Sequence, residues 1–128
     1  MVQKEDLIRE AKTAMNKSYA PFSKVKVGAC VMTSKGKCYT GSNYDRDAYK
    51  TKFYAERKAI EEAYSHNDKE ITKIVIASST PEFSYPNGST RQMIYEFAPH
   101  ADIILVNSFN EEKLHTIQEL LPFPSKRI

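Results

Sequence analysis

Apolar residues recur along the chain with two different spacings, and the spacing predicts which segments are helices and which are strands. Residues 4–17 carry a single apolar stripe at helical spacing, formed by Leu7, Ile8, Ala11, Ala14 and Met15. Pro21 follows this stripe, and a proline ring cannot continue a helix. The chain is therefore expected to begin with an amphipathic helix that ends before Pro21.

Four segments are predicted to be strands. Residues 25–33 are rich in β-branched side chains and alternate in part, and residues 38–43 follow them after a turn at 34–37, where Gly36 can adopt a positive φ. The two segments therefore predict a hairpin. Residues 74–77 and 103–106 are continuously apolar, which is typical of strands buried on both faces. A fifth, shorter strand is predicted at residues 114–115.

Three further helices are predicted at residues 54–64, 89–97 and 116–121. Thr116 begins the last of them, and Glu119 follows three positions later, as in a capping box. Residues 44–53 and 78–88 are predicted loops. Helices that alternate with strands after an initial hairpin predict an α/β domain in which helices cover a central mixed sheet.

Composition narrows the class of protein. With 128 residues, 41% of them apolar and 27% charged, the chain is expected to form one soluble globular domain spanning residues 1–128. No apolar run approaches the roughly 20 residues that span a bilayer, and the first residues do not resemble a signal peptide. We therefore expect a cytoplasmic protein without membrane contact.

The charge distribution does not indicate a nucleic-acid partner, and the two cysteines do not indicate a disulfide. The net charge is +3, but lysines and arginines are scattered among acidic residues, so nucleic-acid binding is not expected. Cys30 and Cys38 are the two cysteines, and we interpret both as small buried apolar residues rather than as a disulfide.

Two short segments about thirty residues apart carry the candidate chemistry. Tyr54-Ala55-Glu56-Arg57 and Pro86-Asn87-Gly88-Ser89-Thr90-Arg91-Gln92 each precede or begin a predicted helix. Zinc-dependent deaminases carry a His- or Cys-x-Glu segment followed later by Pro-Cys-x-x-Cys. The spacing of Glu56, Pro86 and the positions after Pro86 follows that signature.

Further motifs along the chain extend the likeness, and the sequence resembles the small homotetrameric cytidine deaminase family. The segments that carry the resemblance are 19–23 (YAPFS), 27–29 (VGA), 41–45 (GSNYD), 55–57 (AER), Arg91-Gln92 with Glu96-Phe97, and 120–122 (LLP). The resemblance implies a three-layer α/β/α domain with a central mixed five-stranded sheet, a homotetramer, and a zinc site for deamination of a nucleoside. Glu56 matches the glutamate that transfers protons in this family.

The three positions that match the zinc ligands hold Tyr54, Asn87 and Thr90. Neutral amide and hydroxyl groups are poor zinc ligands, and a tyrosine must lose a proton whose pKa is about 10. We therefore expect no metal and no cofactor, although the family uses zinc. Water activation by zinc contributes on the order of 10 kcal/mol of nucleophile preparation, which a lone Glu56 does not replace. Glu56 also has a simpler interpretation, as a first-turn acid favoured by the helix dipole.

The resemblance also indicates where a nucleoside would bind. Asn43 and Asp45 match residues that hydrogen-bond the ribose, and Ala55 lies beside Glu56. The aromatic residue that stacks on the base falls at Val25 here. A second aromatic, contributed across the subunit interface, falls near Ser125, with Phe123 as a possible substitute.

Four basic residues lie within the two motifs or just before the first of them: Arg57, Lys50, Lys52 and Arg91. Arg57 could pair with a neighbouring acid or face an anion. Two helix N-termini directed at one point favour anions, so one hypothesis is that the pocket binds water or a small anionic group such as a nucleotide phosphate. The alternative is that the Tyr54 ring fills it.

From these residues we predict a pseudoenzyme that binds a nucleoside, nucleotide or related small molecule. Two alternatives stay open. The chain could be an active deaminase that converts cytidine or deoxycytidine to uridine or deoxyuridine, or a structural subunit that assembles with an active paralogue.

Overall fold

The helices and strands follow the expected order along the chain. The computed structural model describes residues 2–45 and 52–125, with only the backbone of residues 52 and 53. None of the helices in this part of the chain is long and apolar enough to cross a membrane. The elements are α1 (Lys4–Met15), β1 (Val27–Thr33), β2 (Cys38–Ser42), β3 (Tyr44–Asp45), β4 (Lys52–Phe53), α2 (Ala55–Ser65), β5 (Ile71–Ser78), α3 (Gly88–Phe97), β6 (Asp102–Val106), β7 (Glu112–His115) and α4 (Ile117–Leu120).

The central sheet has five strands in the order β2-β1-β5-β6-β7. The strands β5 and β6 pair in parallel, whereas β1–β2, β1–β5 and β6–β7 pair antiparallel. The predicted mixed five-stranded sheet is confirmed. The parallel pair brings the carboxyl ends of β5 and β6 to one edge of the sheet, where the loops that follow them meet.

Helices cover both faces of the sheet. One face packs on α1 through a small cluster that includes Leu7, Ala11, Cys30 and Val75. The opposite face packs on α2, α3 and α4 through a larger cluster, in which Ile60, Ile94 and Ile117 are almost wholly buried. The predicted three-layer α/β/α arrangement is therefore confirmed.

Several boundaries differ from the sequence prediction. The strand β1 begins at Val27 rather than at residue 25, and β5 is longer than the apolar run 74–77. Within the predicted loop 44–53, Tyr44 and Asp45 pair with Phe53 and Lys52 in a short antiparallel ladder. Ladder hydrogen bonds join backbone groups, so they extend past the apolar residues that identified the strands.

Two local predictions are tested directly. Thr116 and Glu119 form the expected capping box, in which the Thr116 side chain accepts from the Glu119 amide. Cys30 is fully buried as predicted. Cys38 is only half-buried, because it lies on the edge strand β2.

The hairpin β1–β2 lies between two helices that approach it closely at glycines. A Cβ atom at Gly28 would overlap the Ala11 carbonyl oxygen of α1. A Cβ atom at Gly41 would overlap the Ala55 carbonyl oxygen and lie 2.8 Å from the Ala59 nitrogen, both in α2. The contact at Gly28 sets the distance of the hairpin from α1, and the contact at Gly41 sets its distance from the beginning of α2.

We expect Gly41→Ala to destabilise the fold by about 2–3 kcal/mol, because the methyl group meets helix backbone that cannot move aside as a side chain can. Urea denaturation monitored by circular dichroism measures this change. Gly88→Ala is the matched control, since a Cβ atom there has no neighbour within 4 Å. Equal stability of the two variants would contradict the assigned close approach.

Candidate active site

The two motif segments form the beginnings of α2 and α3. Tyr54 is the N-cap residue of α2, with φ −93° and ψ 136° and no side-chain capping hydrogen bond. Asn87 is the N-cap residue of α3, and its Oδ1 accepts a hydrogen bond of 2.8 Å from the Thr90 amide. Both cap residues line one cavity of about 150 Å³. The structure therefore brings together the two segments that the spacing singled out.

Six of the twelve predicted site residues line this cavity: Val25, Asn43, Tyr54, Ala55, Glu56 and Asn87. Its described lining comprises Ser23, Val25, Val27, Asn43, Tyr54, Ala55, Glu56, Ser84, Tyr85 and Asn87. Asp45, Thr90, Arg57 and Arg91 are not part of that lining. Pockets for small molecules typically hold about 300 Å³ or more, so the cavity within one chain is sized for a base rather than for a whole nucleoside.

Glu56 lies on the wall of the cavity in the first turn of α2, and only 4% of its surface is exposed. Burial raises the pKa of this carboxyl, although its own backbone N–H and the nearby charge of Arg57 act in the opposite direction. A buried carboxylate with a raised pKa is a stronger base than one in water. Glu56 therefore has the environment of a proton-transfer group.

We expect Glu56→Gln to stabilise the fold at neutral pH by about 1 kcal/mol, or a few degrees in Tm. A folded-state pKa above the ordinary value of 4.5 means that the unfolded chain releases this proton first as pH rises. The resulting penalty on the folded state is absent at pH values below 4.5 and grows as pH rises toward neutrality.

Thermal melting of the wild type and Glu56→Gln between pH 4 and pH 8 tests this expectation. Glu61→Gln, which changes an exposed glutamate of the same helix, is the control. A difference that does not shrink toward pH 4, or a less stable Glu56→Gln, would count against a burial penalty at Glu56.

The two predicted ribose-binding residues have structural contacts of their own. The Asn43 side chain accepts from the Val27 amide at 2.8 Å and donates to the Val25 carbonyl at 2.8 Å. The Asp45 carboxylate is 3% exposed and accepts from the Ser23 amide at 2.9 Å. Asn43 borders the cavity, whereas Asp45 holds the segment that carries Ser23. Their contact with a ribose stays a prediction.

Among the predicted basic residues, the two arginines lie outside the described lining of the cavity and have different hydrogen-bond partners. Arg57 donates to the Ser89 hydroxyl at 3.4 Å. Arg91 donates to the carbonyl oxygens of Pro86 at 2.7 Å and Leu120 at 2.8 Å, which ties the beginning of α3 to the end of α4. Lys50 lies outside the described residues, and the structure describes only the backbone of Lys52. An anion-binding role for this group stays a prediction.

The loop between β5 and α3 supplies two cavity residues that the sequence interpretation did not select, Ser84 and Tyr85. Asn107, at the carboxyl end of β6, holds this loop by donating to the Pro81 carbonyl at 2.9 Å. The available signal was the position of Tyr85 directly before Pro86, since the residue before a proline is restricted to extended conformations.

The donor groups at the three ligand-matching positions are a phenol, an amide and a hydroxyl. Asn87 Oδ1 already accepts from the Thr90 amide, and Thr90 Oγ1 is buried with no hydrogen-bond partner among the described residues. Zinc sites in proteins use cysteine, histidine, aspartate or glutamate. Within residues 2–45 and 52–125, no group of three or more such side chains could hold a metal ion.

A larger groove of about 510 Å³ lies between α2 and α3, with Arg57, Tyr64, Ser89 and Phe97 in its described lining. Glu56 does not line it. We assign the chemistry to the smaller cavity, because that cavity contains the buried carboxyl and both helix N-cap residues.

Comparison with known proteins identifies the relatives of this chain. Residues 1–107 match the family model described as "Cytidine and deoxycytidylate deaminase zinc-binding region". A cytidine deaminase of Halalkalibacterium halodurans is 30% identical over 94% of this chain and 92% of its own length. A cytidine deaminase of Sporosarcina psychrophila is 33% identical over 92% of this chain and 88% of its own length.

Solved structures agree. The crystal structure of cytidine deaminase from Burkholderia pseudomallei superimposes with a TM-score of 0.90 at 31% identity, covering 97% of this chain and all of that one. The relatives are named as cytidine deaminases along nearly their full length, and this finding overturns the prediction of a pseudoenzyme. It favours the alternative of an active deaminase. The chain therefore belongs to the cytidine and deoxycytidylate deaminase family.

Proposed function

We propose that this chain catalyses the hydrolytic deamination of a cytosine nucleoside, converting cytidine or deoxycytidine to uridine or deoxyuridine. The observation that carries the proposal is the buried Glu56 carboxyl, which lies on the cavity wall at the family's motif position. The names of the relatives support the choice of reaction and substrate.

The cavity residues suggest the steps. A cytosine ring lies in the cavity with C4 near a water molecule that Glu56 contacts. The Glu56 carboxylate removes a proton from the water while the water oxygen bonds to C4. Glu56 then passes that proton to N3. The second proton of the water then travels through Glu56 to the exocyclic amine, the C4–N bond breaks, and ammonia leaves a C4 carbonyl. The cavity orients the cytosine ring and the water before the reaction, which lowers the entropic cost of bringing them together.

None of these steps involves zinc, because the phenol of Tyr54, the amide of Asn87 and the buried hydroxyl of Thr90 do not fit this ion. A positioned general base supplies roughly 10²–10⁴-fold of acceleration. Activation of water by zinc contributes on the order of 10 kcal/mol. The expected turnover is therefore slow compared with that of a site built around zinc-bound hydroxide.

The test is a deamination assay on the purified full chain, with cytidine and deoxycytidine as substrates. Formation of uridine is followed by absorbance, release of ammonia by a coupled assay, and zinc content by elemental analysis of the same preparation. The expected result is turnover that neither a chelator nor added zinc changes.

One outcome would count against this function, and another against the metal-free route alone. Absence of uridine and ammonia above the protein-free background would refute deamination. Stoichiometric zinc, together with loss of turnover on chelation, would refute only the metal-free route. We also propose that the chain forms a homotetramer, that it is cytoplasmic and that its small-molecule partner is a nucleoside. The family to which the chain belongs supports these three proposals.

A further inference from the structure

One aromatic ring of the cavity is held by residues far from it in the sequence. Tyr85 lines the same cavity as Glu56 and is 40% exposed. Pro86 follows it, which restricts the Tyr85 backbone to extended conformations. The side chain therefore projects from a backbone with little freedom, and its direction depends on what contacts the ring.

The Tyr85 hydroxyl is anchored on His115. Its Oη lies 3.0 Å from His115 Nε2, a contact between residues 30 positions apart in sequence. On the other side of the imidazole, Nδ1 lies 3.7 Å from a carboxylate oxygen of Glu119. Nδ1 is buried and makes no hydrogen bond within the described residues, so the Glu119 carboxylate acts on it through its charge alone. A negative charge beside Nδ1 favours a proton on that nitrogen, which leaves Nε2 to accept from the tyrosine hydroxyl.

The capping box of α4 fixes the position of Glu119. Its Oε1 accepts from the Thr116 backbone N–H at 2.9 Å. That hydrogen bond is the main reason why the pKa of Glu119 lies below its ordinary value. The carboxylate that faces His115 is therefore both charged and oriented by its own helix.

Arg91 supports the ring from another direction. Its guanidinium carbon lies 5.9 Å from the centroid of the Tyr85 ring, and the group is held by carbonyl oxygens of Pro86 and Leu120. A ring fixed at its hydroxyl and by a cation loses little further freedom when a ligand stacks on it, which favours binding.

From these contacts we infer that Tyr85 is a specificity-determining residue of the cavity, which stacks on the pyrimidine ring, and that His115 is the residue that positions it. The inference rests on the proposed function, because it takes the ligand to be a pyrimidine nucleoside. Val25 cannot stack at the position where the resemblance indicates an aromatic residue. Tyr54 and Tyr85 are the aromatic residues in the described lining, and Tyr85 has the anchored hydroxyl.

The test compares two ligands that differ in ring aromaticity, uridine and 5,6-dihydrouridine, by titration calorimetry on the full chain. Stacking requires a flat π system, and stacking of a base on an aromatic side chain is typically worth about 10-fold in affinity. The wild type is expected to prefer uridine by about 10-fold. Tyr85→Leu is expected to remove this preference altogether. Tyr85→Phe, which keeps the ring but loses the hydrogen bond to His115, is expected to reduce it only in part, to about the same extent as His115→Ala.

Phe83→Leu is the matched control, because it removes an aromatic ring from the same loop without altering the described cavity lining. It is expected to bind both ligands as the wild type does. A double-mutant cycle tests the role of His115. His115→Ala should reduce the preference for uridine in the wild type, but have little further effect in Tyr85→Phe, which already lacks the hydroxyl.

Binding and turnover separate the possible failures. If the wild type does not distinguish the two ligands or binds neither, or if Tyr85→Leu keeps the preference, the stacking assignment is wrong. If Phe83→Leu and Tyr85→Leu lose the preference for uridine to the same extent, the effect belongs to the loop as a whole, and the stacking assignment is also wrong. A wild type that binds uridine with the expected preference but releases no ammonia from cytidine would refute deamination while supporting Tyr85. If Tyr85→Leu does not fold, the cycle between Tyr85→Phe and His115→Ala decides.

Discussion

Replacing Tyr54, Asn87 and Thr90 together by cysteine is expected to create a stoichiometric zinc site and to raise the rate of cytidine deamination by at least about 10³-fold. Tyr54 and Asn87 are the N-cap residues of two helices that line one cavity, and Thr90 lies one turn into the second helix with no exposed surface. The triple variant completes the Cys-x-Glu and Pro-Cys-x-x-Cys signature around Glu56 and Pro86.

The energetic balance favours this gain. Asn87→Cys removes the side-chain cap of α3, which costs about 1 kcal/mol. Binding of zinc to a structural site contributes on the order of 10 kcal/mol. A zinc-bound water also has a pKa of about 7 rather than 15.7, so that hydroxide is available at neutral pH. The expected gain therefore comes from the nucleophile.

Elemental analysis and initial rates with cytidine measure the two effects. The matched control carries Tyr54→Cys and Asn87→Cys with Thr90→Ser, which replaces one sulfur ligand by oxygen and should bind zinc more weakly. A triple variant that folds but does not hold zinc would show that the two helix beginnings are not close enough to share an ion. Tight zinc with an unchanged rate would show that the nucleophile does not limit the reaction.

The second large effect is expected at Glu56. Glu56→Gln should lower the turnover number for cytidine by about 10²–10⁴-fold, since an amide of the same shape cannot accept and return protons. Substrate affinity should change little, because the substitution keeps the volume of the side chain. The expected signature is a loss in kcat with a nearly constant KM.

Steady-state kinetics with Glu61→Gln as the control test this expectation. Glu61 is an exposed residue of the same helix, so its variant should retain the wild-type kcat. A Glu56→Gln protein that turns over at the wild-type rate would remove Glu56 from the mechanism. The burial of Glu56 would then have no catalytic explanation.

The parts of this fold that sequence predicts well are those in which the cause is local. Thr116 and Glu119 form their capping box because both partners belong to the same helix turn. The apolar runs around Ile76 and Leu105 became buried strands because such runs have few other places in a domain of this size. The structure places Glu56, the residue that the motif singled out, on the wall of a cavity, and its catalytic role stays a prediction.

The remaining features depend on contacts between distant segments. Tyr85 and His115 are 30 positions apart, and neither belongs to a motif that would pair them. Asp45 reaches the amide of Ser23 across 22 positions, so a residue that was selected for ribose binding also has a structural role. The prediction of a pseudoenzyme failed for another reason. It gave the three ligand-matching positions more weight than the likeness along the whole chain.

The glycines of the hairpin have a consequence for redesign of this protein. Gly28 and Gly41 leave no space for a methyl group toward α1 and α2 respectively, so a larger residue at either position would push a helix away from the sheet. The loop that carries Ser84 and Tyr85 borders the cavity without lying between a helix and the sheet, so it can change without moving either helix. Libraries aimed at new substrates are best concentrated there, with both glycines kept constant.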